Sequence, residues 1–360
     1  MSAYLLFIGG RGDIFDCSLS FLFFSIFFPV LSLFWVEHGD ISYLLFCSLF
    51  WLVLFLTLSF IPAGCAFSLE RNGVNRIESF LDWVYLAVIL MAGVLLLLNF
   101  SISSGVGFDS VYERRKVFSE WLAGGFATYL YTWSVYVFAT YLIFISRRRF
   151  FNLIGVAYVL IFYAVAGDKV YLFLIGLIFF LRVASLRGGA ALLLCAFIFL
   201  SLSGVVFFFV LGDVWVPAIV NRFLVLPADI SFNYVKYFQG GELFYAYSFM
   251  SLFVDYEYSS FPAQLIGSVY YADGDNANVN FLADAYVNLG WFSIVPLLFF
   301  FVVLRAVFLR GRYVILLAPI FVQAINMPLP TLLLTGGGAL MIVGCYMLSG
   351  SAALRKGRFL

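Results

Sequence analysis

Residues 17–36 read CSLSFLFFSIFFPVLSLFWV, and residues 41–62 read ISYLLFCSLFWLVLFLTLSFIP. Neither stretch holds a charged side chain, and only Glu37, His38, Gly39 and Asp40 part them. A bilayer core about 30 Å thick needs ~20 apolar residues to cross as an α-helix, because each backbone polar group must be satisfied within the segment. Two such runs in succession predict a transmembrane hairpin. Eight more segments extend the pattern: 81–100, 121–145, 150–166, 170–186, 190–211, 286–304, 313–331 and 332–349. Segments 150–166 and 170–186 are parted only by Gly167-Asp168-Lys169, and read as a tight hairpin or as one re-entrant unit. The last pair divides near Pro328–Pro330.

Composition agrees with a lipid solvent. Apolar residues are 64% of the 360 positions and charged ones 11%, too little polar surface for a soluble domain of this length. Aromatics reach 21%, with 46 Phe. No small-residue cleavage site follows the first apolar run, so that run reads as a retained helix and not a signal peptide. The five cysteines show no paired spacing and stand without a His cluster, which points away from metal chemistry. The expected fold is all-α: a polytopic bundle of about ten helices forming one membrane domain over residues 1–360, with a large loop at 212–285.

Basic residues orient the bundle. A cytoplasmic N-terminus places Arg11, Arg71, Arg76, Arg147–Arg149, Arg182, Arg187, Arg305, Arg310, Arg312, Arg355, Lys356 and Arg358 inside. Of the acidic residues it puts there only Asp13, Asp16, Glu70, Glu78 and Asp82. Both termini are then cytoplasmic, and the 212–285 loop lies outside. That loop carries Arg222 and Lys236 as its only basic residues and is otherwise acidic.

The loop is rich in structure-forming sequence. VPAIVNRFLVLPADISFNYVKYF embeds Arg222 among apolar residues and sets Tyr234, Tyr237 and Phe238 at near-helical spacing, a pattern of short amphipathic helices at a membrane face. A second aromatic stretch, Phe244 to Tyr258, interleaves Asp255 and Glu257, and the polar run YYADGDNANVNFLADAYVNLG leads into the eighth segment. Aromatic rings beside amides and carboxylates suit sugar binding; an interfacial loop held by its tyrosine belt is the alternative.

NRFLVLPADISFNYVKYF, with NANVNFLADAYVNLGWFSIVP some forty residues on, resembles the external loop and following helix of the bacterial O-antigen polymerases, the Wzy family. An Arg-x10-Gly spacing associated with that family occurs at Arg114 to Gly125, whereas position 233, eleven after Arg222, is Asn. The resemblance implies a membrane glycosyltransferase of the inner membrane. It would join undecaprenyl-pyrophosphate-linked oligosaccharide repeat units at the periplasmic face, alongside a chain-length co-polymerase and a flippase. It implies no cofactor, because the donor pyrophosphate is itself the leaving group, and neither GxxxxGK[ST] nor a strand-linked GxGxxG occurs.

Such a reaction needs cations for the departing pyrophosphate and an acceptor for the attacking hydroxyl's proton. For the first, Arg222 leads, then Lys169 in its tight turn, then Arg114 and Arg115; a local Lys169–Asp168 pair, and a solvated patch with Glu113 and Glu120, are the structural alternatives. For the second, Asp284 at the mouth of the eighth segment leads, with helix-dipole stabilisation as its alternative role. Asp229, Glu242, Asp255 and the single histidine, His38, follow. Tyr234, Tyr237, Asn278, Asn280 and Tyr286 read as substrate-binding residues, and Asp273-Gly274-Asp275 as a turn. An O-antigen ligase and a lipid-linked sugar flippase or transporter are the competing functions; the absence of visible pseudo-symmetric halves counts against transport.

Overall fold

The computed structural model describes residues 14–37, 40–60, 71–100, 117–118, 125–167, 170–187, 195–196, 198–199, 202, 221, 225–238, 243–247, 249–271, 277–307 and 312–349. All regular structure among them is helical. In chain order the helices are α1 Ile14–Glu37, α2 Ile41–Phe60, α3 Arg71–Asn99, α4 Phe126–Trp133, α5 Thr140–Phe144, α6 Arg149–Ala166 and α7 Val170–Arg187. A π-helical turn, Ser134–Ala139, joins α4 to α5. There follow α8 Leu226–Tyr237, α9 Pro262–Tyr270, α10 Phe281–Leu289, α11 Ile294–Val307, α12 Ala318–Gln323, α13 Leu329–Leu334 and α14 Gly338–Ser349.

Among the described residues five stretches are long and apolar enough to cross a membrane: Phe15–Trp35, Ile41–Phe60, Glu78–Asn99, Arg149–Ala166 and Phe281–Arg305. The protein is an α-helical membrane protein. Of the ten segments expected, 121–145 is divided by the π-helical turn, 190–211 lies mostly outside the described residues, and the last two are broken into short helices. The chain forms two compact units. One comprises Met1–Pro62, Ala184–Arg305 and Phe321–Pro330, and so includes the whole of the long loop; the other comprises Ala63–Val183, Ala306–Ile320 and Thr331–Leu360.

In the first unit, α2 shows how an uncharged helix acquires two faces. Asp40 Oδ1 accepts the Tyr43 N–H at 3.0 Å, satisfying one of the open donors of the first turn. Tyr43, Phe46, Cys47, Phe50, Trp51, Leu54, Phe55 and Leu58 recur at three- and four-residue intervals and are buried. Leu45, Leu49, Leu52 and Leu56 between them are exposed, which suits lipid. Phe23 of α1 meets Trp51 and Phe55 at ring distances of 5.2 and 5.3 Å. At the start of α1, Asp16 pairs with Arg305 from the last turn of α11, and that guanidinium also lies 5.6 Å from the Phe15 ring.

Phe281–Arg305 passes as one span by composition, yet it is not one helix. Twenty residues of straight helix extend about 30 Å. The Phe281 and Phe301 rings are only 5.8 Å apart, and each lies 6.2 Å from Phe50 near the middle of α2. Hence α10 and α11 run side by side in opposite directions. The reversal is at Gly290, whose φ of 56° and ψ of −145° belong to a region open to glycine. The α10 N-terminus therefore starts at the level of Phe50, while Tyr286 and Trp291 rise to Phe46, at 4.7 and 5.8 Å. α10 is a buried half-helix; α11, with the Gly290–Ser293 turn before it, keeps a buried stripe of Ser293, Leu297, Phe301 and Leu304 and turns Phe292, Val295 and Phe299 outward.

The second unit is built on α3 and α6. Glu78 and Asp82 at the buried start of the α3 span pair with Arg147 (3.4 Å) and Arg148 (3.8 Å) in the α5–α6 turn. Asn152 bridges that turn by donating to the Ile143 carbonyl at 2.9 Å. Gly155 lets α6 lie close on α5: a Cβ there would fall 2.9 Å from Ile143 Cγ1.

Candidate functional site

A half-helix inside a membrane protein must settle the backbone groups at both its ends. Asn280 caps the start of α10. Its Oδ1 accepts the N–H groups of Leu282 (2.9 Å) and Ala283 (3.0 Å), and its Nδ2 donates to Ser231 Oγ on α8 at 2.6 Å. The Phe281 N–H donates to the Ala324 carbonyl at 3.1 Å. At the other end a turn formed by residues 243–247 closes over α10. There the N–H groups of Leu243 and Phe244 donate to the Val287 and Asn288 carbonyls at 3.2 and 3.0 Å. The Tyr245 N–H donates to Asn288 Oδ1 at 2.8 Å. To make these bonds Phe244 and Tyr245 adopt left-handed φ values of 48° and 57°. That conformation costs roughly 1–2 kcal/mol for each non-glycine residue, and the three hydrogen bonds offset it.

This turn delivers Tyr247 to Asp284. The Tyr247 hydroxyl donates to Asp284 Oδ1 at 2.8 Å. Asn288, one helical turn on, sends its Nδ2 to the same Oδ1 (3.2 Å), to the Asp284 carbonyl (2.8 Å) and to the Tyr247 oxygen (3.2 Å). Asp284 is 2% exposed. Its other oxygen, Oδ2, is buried and accepts no hydrogen bond from the described residues. A carboxyl in such a setting is costly unless it has a task, and it pairs with no described basic side chain. Tyr234, on the buried face of α8, and Tyr245 stand close enough to feel its charge. Burial first, and that charge second, push the Tyr234, Tyr245 and Tyr247 hydroxyls far above their ordinary range, so all three remain neutral donors.

A second carboxylate repeats the arrangement. Asp229 and Asn233 are also four residues apart on a helix, α8, and Tyr271 supplies the hydroxyl. It donates to Asp229 Oδ2 at 2.6 Å, while Asn233 Nδ2 donates to Asp229 Oδ1 at 3.3 Å and to the Tyr271 oxygen at 3.1 Å. The two helices pack together. The parallel is legible as Ala-Asp-x-x-x-Asn, at Ala228–Asn233 and Ala283–Asn288, a short echo within the two stretches already singled out. It singles out Asn288 and Asn233, neither of them among the expected site residues. Tyr247 and Tyr271 carry no such signal, since they lie among many aromatics.

Arg222, Lys169, Arg114 and Arg115, and with them His38 and Glu242, lie outside the described residues. The structure brings Asp284 and Tyr234 together. Tyr237 sits on the half-buried face of the same α8 helix, with its ring 4.9 Å from Phe238. Asn280 is 1% exposed and is occupied as the α10 cap, close to Asp284 but bonded to the scaffold. Tyr286 packs on α2 against Phe46 and Tyr43, the latter at 5.7 Å. Asn278 is exposed in the extended approach to α10, and Asp255 is exposed in the loop.

The tyrosine hydroxyls give the site a readable alkaline signature. Tyr256, in the same loop, is pushed up to about 12 by burial and by its neighbours Tyr258 and Tyr237. A raised folded-state value means that the folded chain holds the proton more tightly than the unfolded one. The resulting stability is complete below pH ~10, the ordinary tyrosine value, and is lost as pH rises past the folded-state values. Absorbance at 295 nm should thus show a group of tyrosines still protonated at pH 11 that ionise at once on unfolding. Ionisation of all 22 tyrosines near pH 10 in the folded chain would contradict this packing.

No protein-family model, curated protein or solved structure matches the chain.

Proposed function

We propose that the protein is a membrane glycosyltransferase of the O-antigen polymerase kind. It joins undecaprenyl-pyrophosphate-linked oligosaccharide repeat units at the periplasmic face of the bacterial inner membrane, with both termini in the cytoplasm. The observation that carries this reading is the buried Asp284 carboxyl, with its Oδ1 held by Tyr247 and Asn288 and the Tyr245 hydroxyl beside it. A general base needs such a fixed orientation, held by groups that leave the carboxyl able to take a proton. It also lies within the segment whose sequence resembles that family.

In the proposed reaction, the hydroxyl of the terminal sugar on one lipid-linked unit attacks the anomeric carbon of the first sugar on another. The new carbon–oxygen bond forms as the bond from that carbon to the phosphate oxygen breaks, and the electron pair departs with the pyrophosphate. The hydroxyl proton passes to Oδ2 of Asp284. Arg222 and Lys169 are proposed to take up the charge on the pyrophosphate, with Arg114 and Arg115 holding the donor further out. A chain-length co-polymerase and a flippase of the same pathway are the proposed partners.

One observation favours a second reading, a flippase or transporter of lipid-linked sugars. A half-helix that begins in mid-unit and carries a buried acid is a recurrent feature of transport proteins. The two readings part in a detergent micelle, where no compartments exist. The purified full chain, given a radiolabelled lipid-linked repeat unit and no lipid A core, is expected to yield a ladder of two repeats and more. Products that form only when lipid A core is supplied would make it a ligase. Unchanged substrate in micelles, together with movement of the lipid-linked unit across proteoliposomes, would make it a transporter.

A further inference from the structure

The tyrosines beside Asp284 begin a longer row. Successive ring centroids lie 6.1 Å apart from Tyr245 to Tyr247, 6.0 Å from Tyr247 to Tyr256 and 5.5 Å from Tyr256 to Tyr258. From Tyr258 to Tyr237 the distance is 6.2 Å, and from Tyr237 to Tyr270 it is 6.5 Å. All six are half-buried; the Tyr247 hydroxyl is taken by Asp284, and the Tyr256 hydroxyl donates to the Ser260 carbonyl at 2.7 Å. They come from the 243–247 turn, the 256–258 stretch, α8 and α9, all outside the five candidate spans.

Two ordinary explanations fit poorly. A membrane-interface belt draws tyrosines from the ends of many spans at one depth. This row starts instead at a 2% exposed carboxyl and leads outward to Asp255, Glu257 and Ser259, which are exposed. A hydrophobic core cluster buries its rings fully, as Tyr43 and Tyr131 are buried elsewhere. Half-open rings in succession, in contrast, offer faces to the C–H side of a sugar. At the inner end waits Asp284 Oδ2, a buried acceptor without a hydrogen bond from the described residues.

We infer that the row from Tyr270 to Tyr247 is a binding track for several consecutive units of an uncharged oligosaccharide, which it threads toward Asp284. The exposed Asp255 and Glu257 beside it disfavour acidic sugars. This inference rests on the glycan reading of the Asp284 site and adds the class and extent of its ligand.

The test uses the surface glycan of the cell that makes the protein, released free of lipid by mild acid and sized into one-, two- and four-repeat pools. Each pool is titrated into the purified full chain, and intrinsic fluorescence reports binding. Affinity for the wild type is expected to rise about tenfold from one repeat to four, as further rings engage. Tyr256→Leu and Tyr258→Leu should shrink that rise to about twofold, whereas Tyr256→Phe and Tyr258→Phe keep most of it. Equal affinity for all pools, binding of none, or an undiminished rise in folded Leu variants would overturn the track. The wild-type length dependence decides the matter even where a Leu variant misfolds. A wild type that shows the length dependence but elongates nothing would retire the polymerase reading and leave the track standing.

Discussion

Asp284→Asn is expected to cut elongation at least about a hundredfold while leaving the folded chain intact. Asn has the shape of Asp, and its carbonyl oxygen can still accept the Tyr247 hydroxyl and the Asn288 amide that now meet Oδ1. Its NH₂ group would take the place of Oδ2, where the neighbouring Tyr245 hydroxyl oxygen can accept from it, so little in the scaffold changes. What disappears is the ability to receive a proton, and positioned general-base catalysis is worth about 10²–10⁴ in rate. The check is the product ladder from a lipid-linked repeat unit, read with the thermal midpoint of the purified variant. An Asn variant within twofold of the wild type would remove Asp284 from the chemistry. Tyr247→Phe should have a smaller effect, because Asn288 still orients the carboxyl. Retention of some long chains by that variant would mark Tyr247 as a positioning residue.

Arg305→Met is expected to destabilise the protein by about 3–5 kcal/mol, the usual consequence of stranding one member of a buried ion pair. The Arg305 and Asp16 side chains are only 14% and 11% exposed, so a carboxylate that loses this arginine is poorly solvated. Adding Asp16→Leu should recover most of the loss, because a buried pair replaced by apolar side chains of similar size is often neutral. Thermal unfolding of the single and double variants in one detergent measures both. A double variant no better than Arg305→Met would mean that the arginine acts through its contact with Phe15 and not through the pair.

The membrane helices were legible because lipid-facing and protein-facing side chains are both apolar there; Leu45 and Phe46 differ in burial but not in hydropathy. The same insensitivity hid the α10–α11 hairpin. Hydropathy runs unbroken from Phe281 to Arg305, and only the backbone of Gly290 and the meeting of Phe281 with Phe301 reveal the fold-back. In the site, Asp284 stood out because an acid in an apolar run has few cheap places to go. Asn280 suits a sugar ligand by residue type, but an Asn just before Phe-Leu-Ala-Asp is also a helix cap, and the cap is what its side chain makes. Tyr247 was beyond reach: its contact with Asp284 spans 37 residues and depends on a left-handed turn at two aromatic positions.

The Asp16–Arg305 pair also sets a timetable for biogenesis. Its members are 289 residues apart, so a ribosome adding about 5–20 residues per second needs roughly 15 to 60 s between making one and the other. Throughout that interval α1 is in the bilayer with its acid unanswered by Arg305. This contact of α1 therefore forms late in synthesis. Docking of α11 onto elements made much earlier forms this contact, and Phe321–Pro330 joins the unit later still; a ribosome halted before residue 305 would leave α1 without its arginine clasp.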